Sequence, residues 1–523
     1  MSQMLKSSGA MAAATLLSRV LGMVREMAYA RFMGDGPVAG AFMLAFTVPN
    51  LFRRLLGEGA LTAAFIPIFK EREKTDGEAQ MWHAANAVIS ALVVAAAVVT
   101  GLVLLGLSLV LAWGDLSTNT RLMLELLRWM FPYMGFICVA AAGMGMLNAR
   151  GHFFVPALGA VILNVVMIGA VLGVAPRWGA TLETQIFALA AGVLVAGVAQ
   201  VLFQLPTLRG EGFRFAWVTP WRNETVRRVV QQMIPATIGV AAFQINVLAT
   251  QGLGFWVGDH VVASFSYAVR LMELPQGLFG VSLATFLLPT LSGLAAEKKM
   301  DDFKGTLRQA VGHLLCINLL MTVLLVVLAE PMVRLLFEGG KFGAEATTRA
   351  AFALVCLAPG LVAFSLVNIF ARAFFALGDT RSPMRASVAC LAVNLALALG
   401  LVFLFPEEQR QGVFGLANTI SALLNMGVLV WMLRRRLGGL DWTGLPRLLA
   451  MLALASALAA LAGWMTSRAW ETAFGHATTR GQIGAVFVPM TAAVLVYGTA
   501  AWVGGVDSVR EIFGLLTKRL RRG

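Results

Sequence analysis

Arginines stand inside the first two apolar helices that this sequence predicts. The first reads AMAAATLLSRVLGMVREMAYARF and carries Arg19 and Arg25. The second reads AGAFMLAFTVPNLFRRLLGEGALTAAFIPIF and carries Arg53 and Arg54. One Arg at the centre of a spanning helix costs roughly 2.5–3.5 kcal/mol, so three or four cost on the order of 10 kcal/mol. A water-filled cavity walled by protein relieves that penalty. A cavity lined with fixed cations suits an anionic cargo.

The rest of the chain is as apolar as these two helices. Of its 523 residues 59% are hydrophobic and 13% charged, which excludes an ordinary soluble domain. Apolar runs long enough to cross a ~30 Å hydrocarbon core recur from end to end. The expected fold is therefore an all-α integral membrane protein of about fourteen spans. They are placed near 9–33, 38–69, 82–113, 121–149, 154–175, 184–206, 226–256, 261–293, 308–335, 346–377, 383–405, 412–434, 445–467 and 481–503. The first run continues past Arg19 without a small-residue cleavage signal and reads as a retained span. Cys138, Cys316, Cys356 and Cys390 fall in apolar helices with neither disulfide nor zinc spacing. The net charge of +14 does not point to nucleic acid, because the surplus lies in short loops.

Loop charge sets the expected orientation. The loops after helices 2, 4, 6, 8, 10 and 12 hold 19 Lys and Arg, and the alternate loops hold 6. The richer set is expected in the cytoplasm, together with both termini. A duplication is also legible. LTAAFIP (Leu61 to Pro67) and LATFLLP (Leu283 to Pro289) lie 222 residues apart, and each runs into a charged loop. A small-polar turn, a Pro and a mid-helix Asn recur in both halves, at Asn164 and Asn394. The expected organisation has an N-terminal six-helix lobe at 1–206 and a cytoplasmic linker at 207–225. A C-terminal six-helix lobe follows at 226–436. Residues 437–523 then supply two extra helices with a groove and a basic amphipathic tail.

Candidate site residues follow from the misplaced charges. Arg19 and Arg25 lie about 120° apart around their helix, and Arg19 shares a face with Glu26. Arg19 is too far from Lys6 to snorkel easily. The alternative to a cavity site is an ion pair, Arg19–Glu26 or Arg25–Glu58, that only joins helices. Pro49, Gly57 and Gly59 are expected to break helix 2 beside Arg53 and Arg54. Guanidinium grips phosphate oxygens in a bidentate fork, which suits a diphosphate. In SYAVRLMELPQG, Arg270 and Glu273 sit one turn apart and are expected to pair until cargo competes. Arg372 reads as a snorkelling residue, and Glu125 with Arg128 as a structural pair. The five histidines do not cluster. No metal-ligand spacing, phosphate-binding glycine loop or nucleophile–base pair is apparent, so a transporter without cofactor is expected rather than an enzyme.

The stretches LSRVLGMVRE, AFMLAFTVPNLFRRLLGEGALTAAFIPIF and YAVRLMELPQGLFGVSLATFLLPTLS resemble the MurJ (MviN) family of lipid II flippases. That family belongs to the multidrug/oligosaccharidyl-lipid/polysaccharide exporter superfamily. The resemblance covers essentially the whole chain. It implies export of lipid II, the undecaprenyl-pyrophosphate-linked peptidoglycan precursor, across the bacterial cytoplasmic (inner) membrane by alternating access. It implies lipid II and membrane lipids as partners, with the cell-wall synthesis machinery beside them. It assigns the pyrophosphate to Arg19, Arg25, Arg53 and Arg270, supported by Glu26, Arg54, Glu58 and Glu273. The chain departs from the family at Gly40 and Val269, where many members carry acids. Some relatives bind sodium in the second lobe. Here Asn246, Asn394 and Thr419 are weak candidates, because Ala398 replaces a ligand. Two alternatives remain at this stage. One is a flippase for another polyprenyl-pyrophosphate-linked oligosaccharide of the O-antigen type. The other is a polytopic transferase acting on such a lipid.

Overall fold

The computed structural model describes residues 2–55, 61–221, 223–440, 442–506 and 509. Its first packing unit holds α1 (Ser2–Met33), α2 (Pro37–Phe52), α3 (Leu61–Asp76), α4 (Glu78–Trp113), α5 (Thr118–Met130) and α6 (Tyr133–Ala149). It continues with α7 (Phe154–Gly169), α8 (Ala175–Trp178), α9 (Leu182–Gly210) and α10 (Glu224–Val257). α11 (Val261–Pro275) leads into the second unit, with α12 (Ser282–Ala296), α13 (Met300–Val327), α14 (Ala329–Phe337), α15 (Ala344–Leu357) and α16 (Gly360–Ala376). α17 (Arg381–Leu401), α18 (Arg410–Arg436), α19 (Leu445–Phe474) and α20 (Thr479–Val503) complete it. The units comprise residues 1–263 with 339–341, and 264–338 with 342–523.

Proline and wide turns set the breaks. α5 meets α6 at 41° and α15 meets α16 at 45°, each across a proline, Pro132 or Pro359. Proline has no N–H to continue the ladder and its ring crowds the preceding turn. The two prolines occupy equivalent places in the two halves, and so do Pro67 inside α3 and Pro289 inside α12. A π-turn follows α2 at Arg53–Leu55, and another joins α11 to α12 over Gln276–Val281. The duplication read from sequence therefore extends to backbone irregularities.

Among the described residues nine helices are long and apolar enough to cross a membrane, or eleven if each bent pair is one span. The three other segments expected to span, 9–33, 38–69 and 226–256, are occupied by α1, by α2 with α3, and by α10. α1 carries Arg19, Arg25, Glu26 and Arg31. α2 is only 16 residues long, and α10 opens with Glu224, Arg227 and Arg228.

Each unit has its own apolar cluster. In the first, Phe65, Phe69, Trp82 and Phe213 form a chain of ring contacts at 5.4–5.6 Å. Phe213 belongs to the segment after α9, which is strapped along α4. Asn86 donates to the Arg214 carbonyl at 2.9 Å, and the Val218 N–H donates to Ser90 at 3.2 Å. In the second unit, Tyr497 of α20 donates its hydroxyl to the Cys316 carbonyl of α13 at 2.6 Å. Gly415 lets α18 touch α15, since a Cβ there would lie 2.9 Å from the Ala353 carbonyl. Small residues at such contacts are what lipid-embedded helices use to pack closely.

A charge cluster gathers the ends of α3, α6 and α9. Arg150 reaches Glu73 at 2.5 Å, Glu211 at 2.7 Å and Glu78 at 3.0 Å. His152 meets Glu211 at 2.7 Å. The His152 and Arg150 hydrogen bonds lower the Glu211 carboxyl below its usual range, and Lys70 and Arg150 do the same to Glu73. Depressed carboxylates stabilise the fold above their unfolded pKa of about 4.3 and lose that contribution as pH falls through the lower folded value. Arg150→Gln is expected to lower the thermal unfolding temperature at pH 7. The gap to the unaltered chain is expected to shrink as pH drops well below 4. Unfolding scans across that range check it, and a pH-independent gap would count against the cluster.

Candidate functional site

The sequence-predicted cations distribute over both units, and each unit presents its own set. In the first unit, α1 carries Arg19 exposed, with no ion pair or hydrogen bond among the described residues. Arg25, on another face, is deeply engaged. Its Nη1 donates to Asn164 Oδ1 on α7 at 3.0 Å, and its Nη2 meets Glu26 at 2.5 Å. Its guanidinium also lies 5.4 Å from the Tyr29 ring centre. Asn164 completes the contact by donating to the Ser18 carbonyl at 3.0 Å.

This arrangement corrects one expectation. Glu26 does not pair with Arg19 across two turns of α1. Seven residues separate them by about 10.5 Å along the axis, whereas the flexible Arg25 side chain folds back onto its neighbour. Glu26 is 6% exposed, so the pair is nearly closed from solvent. The alternative Arg25–Glu58 pair cannot be followed, because Gly57, Glu58 and Gly59 lie outside the described residues.

α2 runs through Pro49, which is buried, and leaves regular α geometry only at Arg53–Leu55. Arg53 and Arg54 sit in that wide turn and are half-buried. Arg53 Nε donates to Asn50 Oδ1 at 2.9 Å. π-turns occur frequently at functional sites because their unpaired carbonyls and altered register expose side chains a regular helix would hide. Gly40 is buried on α2, with the Asp259 carbonyl 3.6 Å from where a Cβ would sit. An acid at that position would be packed beside a carbonyl oxygen.

In the second unit, Arg270 and Glu273 pair at 2.8 Å one turn before the Gln276–Val281 π-turn. Their side chains are 41% and 45% exposed, so the pair is half-solvated. Val269 beside Arg270 is half-buried. Arg372 lies 5.7 Å from the Phe375 ring centre. Asn246 is on α10 of the first unit, while Asn394 and Thr419 belong to the second. The Thr419 hydroxyl is spent on the Cys356 and Leu357 carbonyls at 3.0 and 3.2 Å. Among the described residues no cluster of three His, Cys, Asp or Glu side chains suits a metal ion.

Sequence reasoning missed Asn164 and Asn50 as partners of the arginines. Asn164 stood out only as a repeat marker. A carboxamide in the middle of an apolar helix is itself a signal, since it needs a buried partner.

The lipid II flippase MurJ family model matches residues 29–479. The chain belongs to the lipid II flippase MurJ family. A probable lipid II flippase MurJ from Rhizobium tropici is 33% identical over 518 residues, covering 97% of this chain and 95% of that protein. The lipid II flippase MurJ of Burkholderia cenocepacia is 35% identical over 389 residues, covering 73% and 75%. A solved lipid II flippase MurJ in an inward closed conformation has a TM-score of 0.77 at 20% identity, covering 96% of this chain and 99% of that one. An inward-facing multidrug resistance MATE family transporter has a TM-score of 0.64 at 17% identity, covering 80% and 94%. This member of the MurJ family is thus an all-helical, multi-pass membrane protein.

Asn164→Ala removes the acceptor for Arg25 and the bond to Ser18. Losing a hydrogen bond to a charged group costs about 1.5–3 kcal/mol, so detergent-solubilised Asn164→Ala should unfold at a lower temperature. Asn164→Asp, which keeps an acceptor for Arg25, should lose less. Unfolding temperatures for Asn164→Ala and the unaltered chain that coincide would show that the contact contributes nothing.

Proposed function

We propose that this chain is a flippase that moves lipid II from the inner to the outer leaflet of the bacterial cytoplasmic membrane. The observation that carries this reading is family membership over nearly the whole chain, joined to cations seated in apolar helices. In this reading Arg19, Arg25, Arg53 and Arg270 face a water-filled cavity and offset the pyrophosphate charge. Arg54, Glu58, Glu26 and Glu273 support them. Arg19 is the first contact, because it is exposed and has no partner among the described residues. Arg270 gives up its Glu273 contact to the cargo. Arg25 is held at a set position by Asn164 and Glu26, so its charge is pre-organised and needs no reordering on binding.

The polyprenyl tail stays in lipid and follows a groove along α19 and α20. α1, the α2–α3 segment and α10 cross the membrane with the eleven apolar spans, giving fourteen, and both termini are cytoplasmic. Two six-helix lobes rock about the linker at 207–225 in alternating access. A few half-exposed cations suit this task, since cargo must leave as readily as it arrives. No covalent step is required, so the chain acts as a transporter rather than an enzyme. The cell-wall synthesis machinery is its functional neighbour.

Depleting the protein and asking which leaflet holds labelled precursor tests the reading. Lipid II should accumulate on the cytoplasmic side. Arg19→Ala, Arg25→Ala and Arg270→Ala should each abolish growth support while the protein still accumulates in the membrane. Lys is expected to replace Arg partly where a point charge suffices and to fail where the grip is bidentate. Normal growth of all three Ala variants would refute the cavity assignment.

A further inference from the structure

A cavity of about 550 Å³ in the second unit lies far along the chain from every residue discussed above as a cargo site. It is walled by α14, the last turns of α19 and residues 475–477. Its floor is Arg334, only 8% exposed. Arg334 contacts Glu330, approaches Glu338 at 3.4 Å and Glu471 at 3.6 Å, and its Nη1 makes no hydrogen bond. Glu338 does not line the cavity and is engaged by the Thr347 hydroxyl at 2.8 Å. Glu330 and Glu471 do line it, with side chains 50% and 31% exposed. Arg468 lies at the rim, 5.9 Å from the centre of the Trp464 ring, itself 53% exposed.

The cavity therefore offers both signs of charge. Two partly exposed carboxylates line it, both ion-paired with Arg334. An exposed guanidinium beside an aromatic face lines it too, and the buried Arg334 Nη1 lacks a hydrogen-bond acceptor. Arg334 is shared by Glu330, Glu338 and Glu471, so a purely anionic ligand would add to an excess of negative charge, and a purely cationic one would leave Arg334 Nη1 without a hydrogen-bond acceptor. A zwitterion answers both. α19 begins just after the arginine-rich 434–436 run, and the cavity is at its opposite end, where Trp464, Trp470 and Phe474 gather. Aromatic side chains with Arg at a helix end mark the headgroup level of a bilayer.

We propose that this cavity binds the phosphoethanolamine headgroup of a membrane phospholipid. The phosphate oxygens take hydrogen bonds from Arg468 and from Arg334 Nη1. The primary ammonium donates to Glu330 and Glu471. A trimethylated ammonium has no N–H to give those carboxylates, and a glycerol headgroup has no cation, so both are rejected. The test of this site does not involve transport.

Native mass spectrometry of the full chain in detergent, offered equal amounts of phosphatidylethanolamine, phosphatidylcholine and phosphatidylglycerol, tests the site. The ethanolamine lipid should be retained about fivefold over each of the others, a preference of roughly 1 kcal/mol. Glu330→Gln with Glu471→Gln should abolish that preference. Arg468→Ala, at an exposed position that leaves the fold undisturbed, should weaken retention of the ethanolamine lipid. A parallel arm with soluble phosphoethanolamine separates the two sources of this chemistry: lipid adducts without retention of the soluble compound are expected. Equal retention of the three lipids would overturn the proposal. So would a preference that survives both sets of substitutions, or binding of the soluble compound alone.

Discussion

The need to satisfy charge away from water governs this structure, and the contact between Arg25 and Asn164 shows how it is met. A guanidinium in a predominantly apolar helix is tolerated when protein groups replace its hydration. Asn164 supplies one acceptor, Glu26 another and Tyr29 a ring face. The same carboxamide returns a hydrogen bond to the α1 backbone, so α1 and α7 are joined by polar atoms rather than by apolar contact alone. With Arg25 held this way, α1 carries a half-buried, fixed guanidinium as well as the exposed Arg19. A site for a mobile anion needs that combination, since fixed charge supplies preorganisation and exposed charge supplies access.

Much of the fold was legible because it rests on signals that a single chain displays. Hydropathy marks spans whatever they pack against, and Leu61 to Pro67 repeats as Leu283 to Pro289 without reference to any contact. The breaks at Pro132 and Pro359 were equally written in the chain and went unread, although their cause is local. α1 and α10 likewise form the long helices that their pattern predicts.

The site was legible as a set of residue types and not as a set of contacts. Arg25 and Arg270 are conspicuous in sequence, but helical spacing alone suggested that Glu26 serves Arg19. Long side chains at adjacent positions reach each other as readily as those a turn apart, and tertiary contact decides between them. Asn164 sits 139 positions from Arg25, a separation that no periodicity reveals. Spacing within one helix did serve for Arg270 and Glu273, where both partners are on one turn.

The wide turns at Arg53–Leu55 and Gln276–Val281 carry an extra residue relative to a regular helix. Each therefore offsets the facing of everything after it by about 100°, the angle one residue subtends. α2 and α3 need not present the same side to their neighbours, and neither need α11 and α12. A chain with such a spare residue can turn one half of a rod without moving the other, as a swivel does.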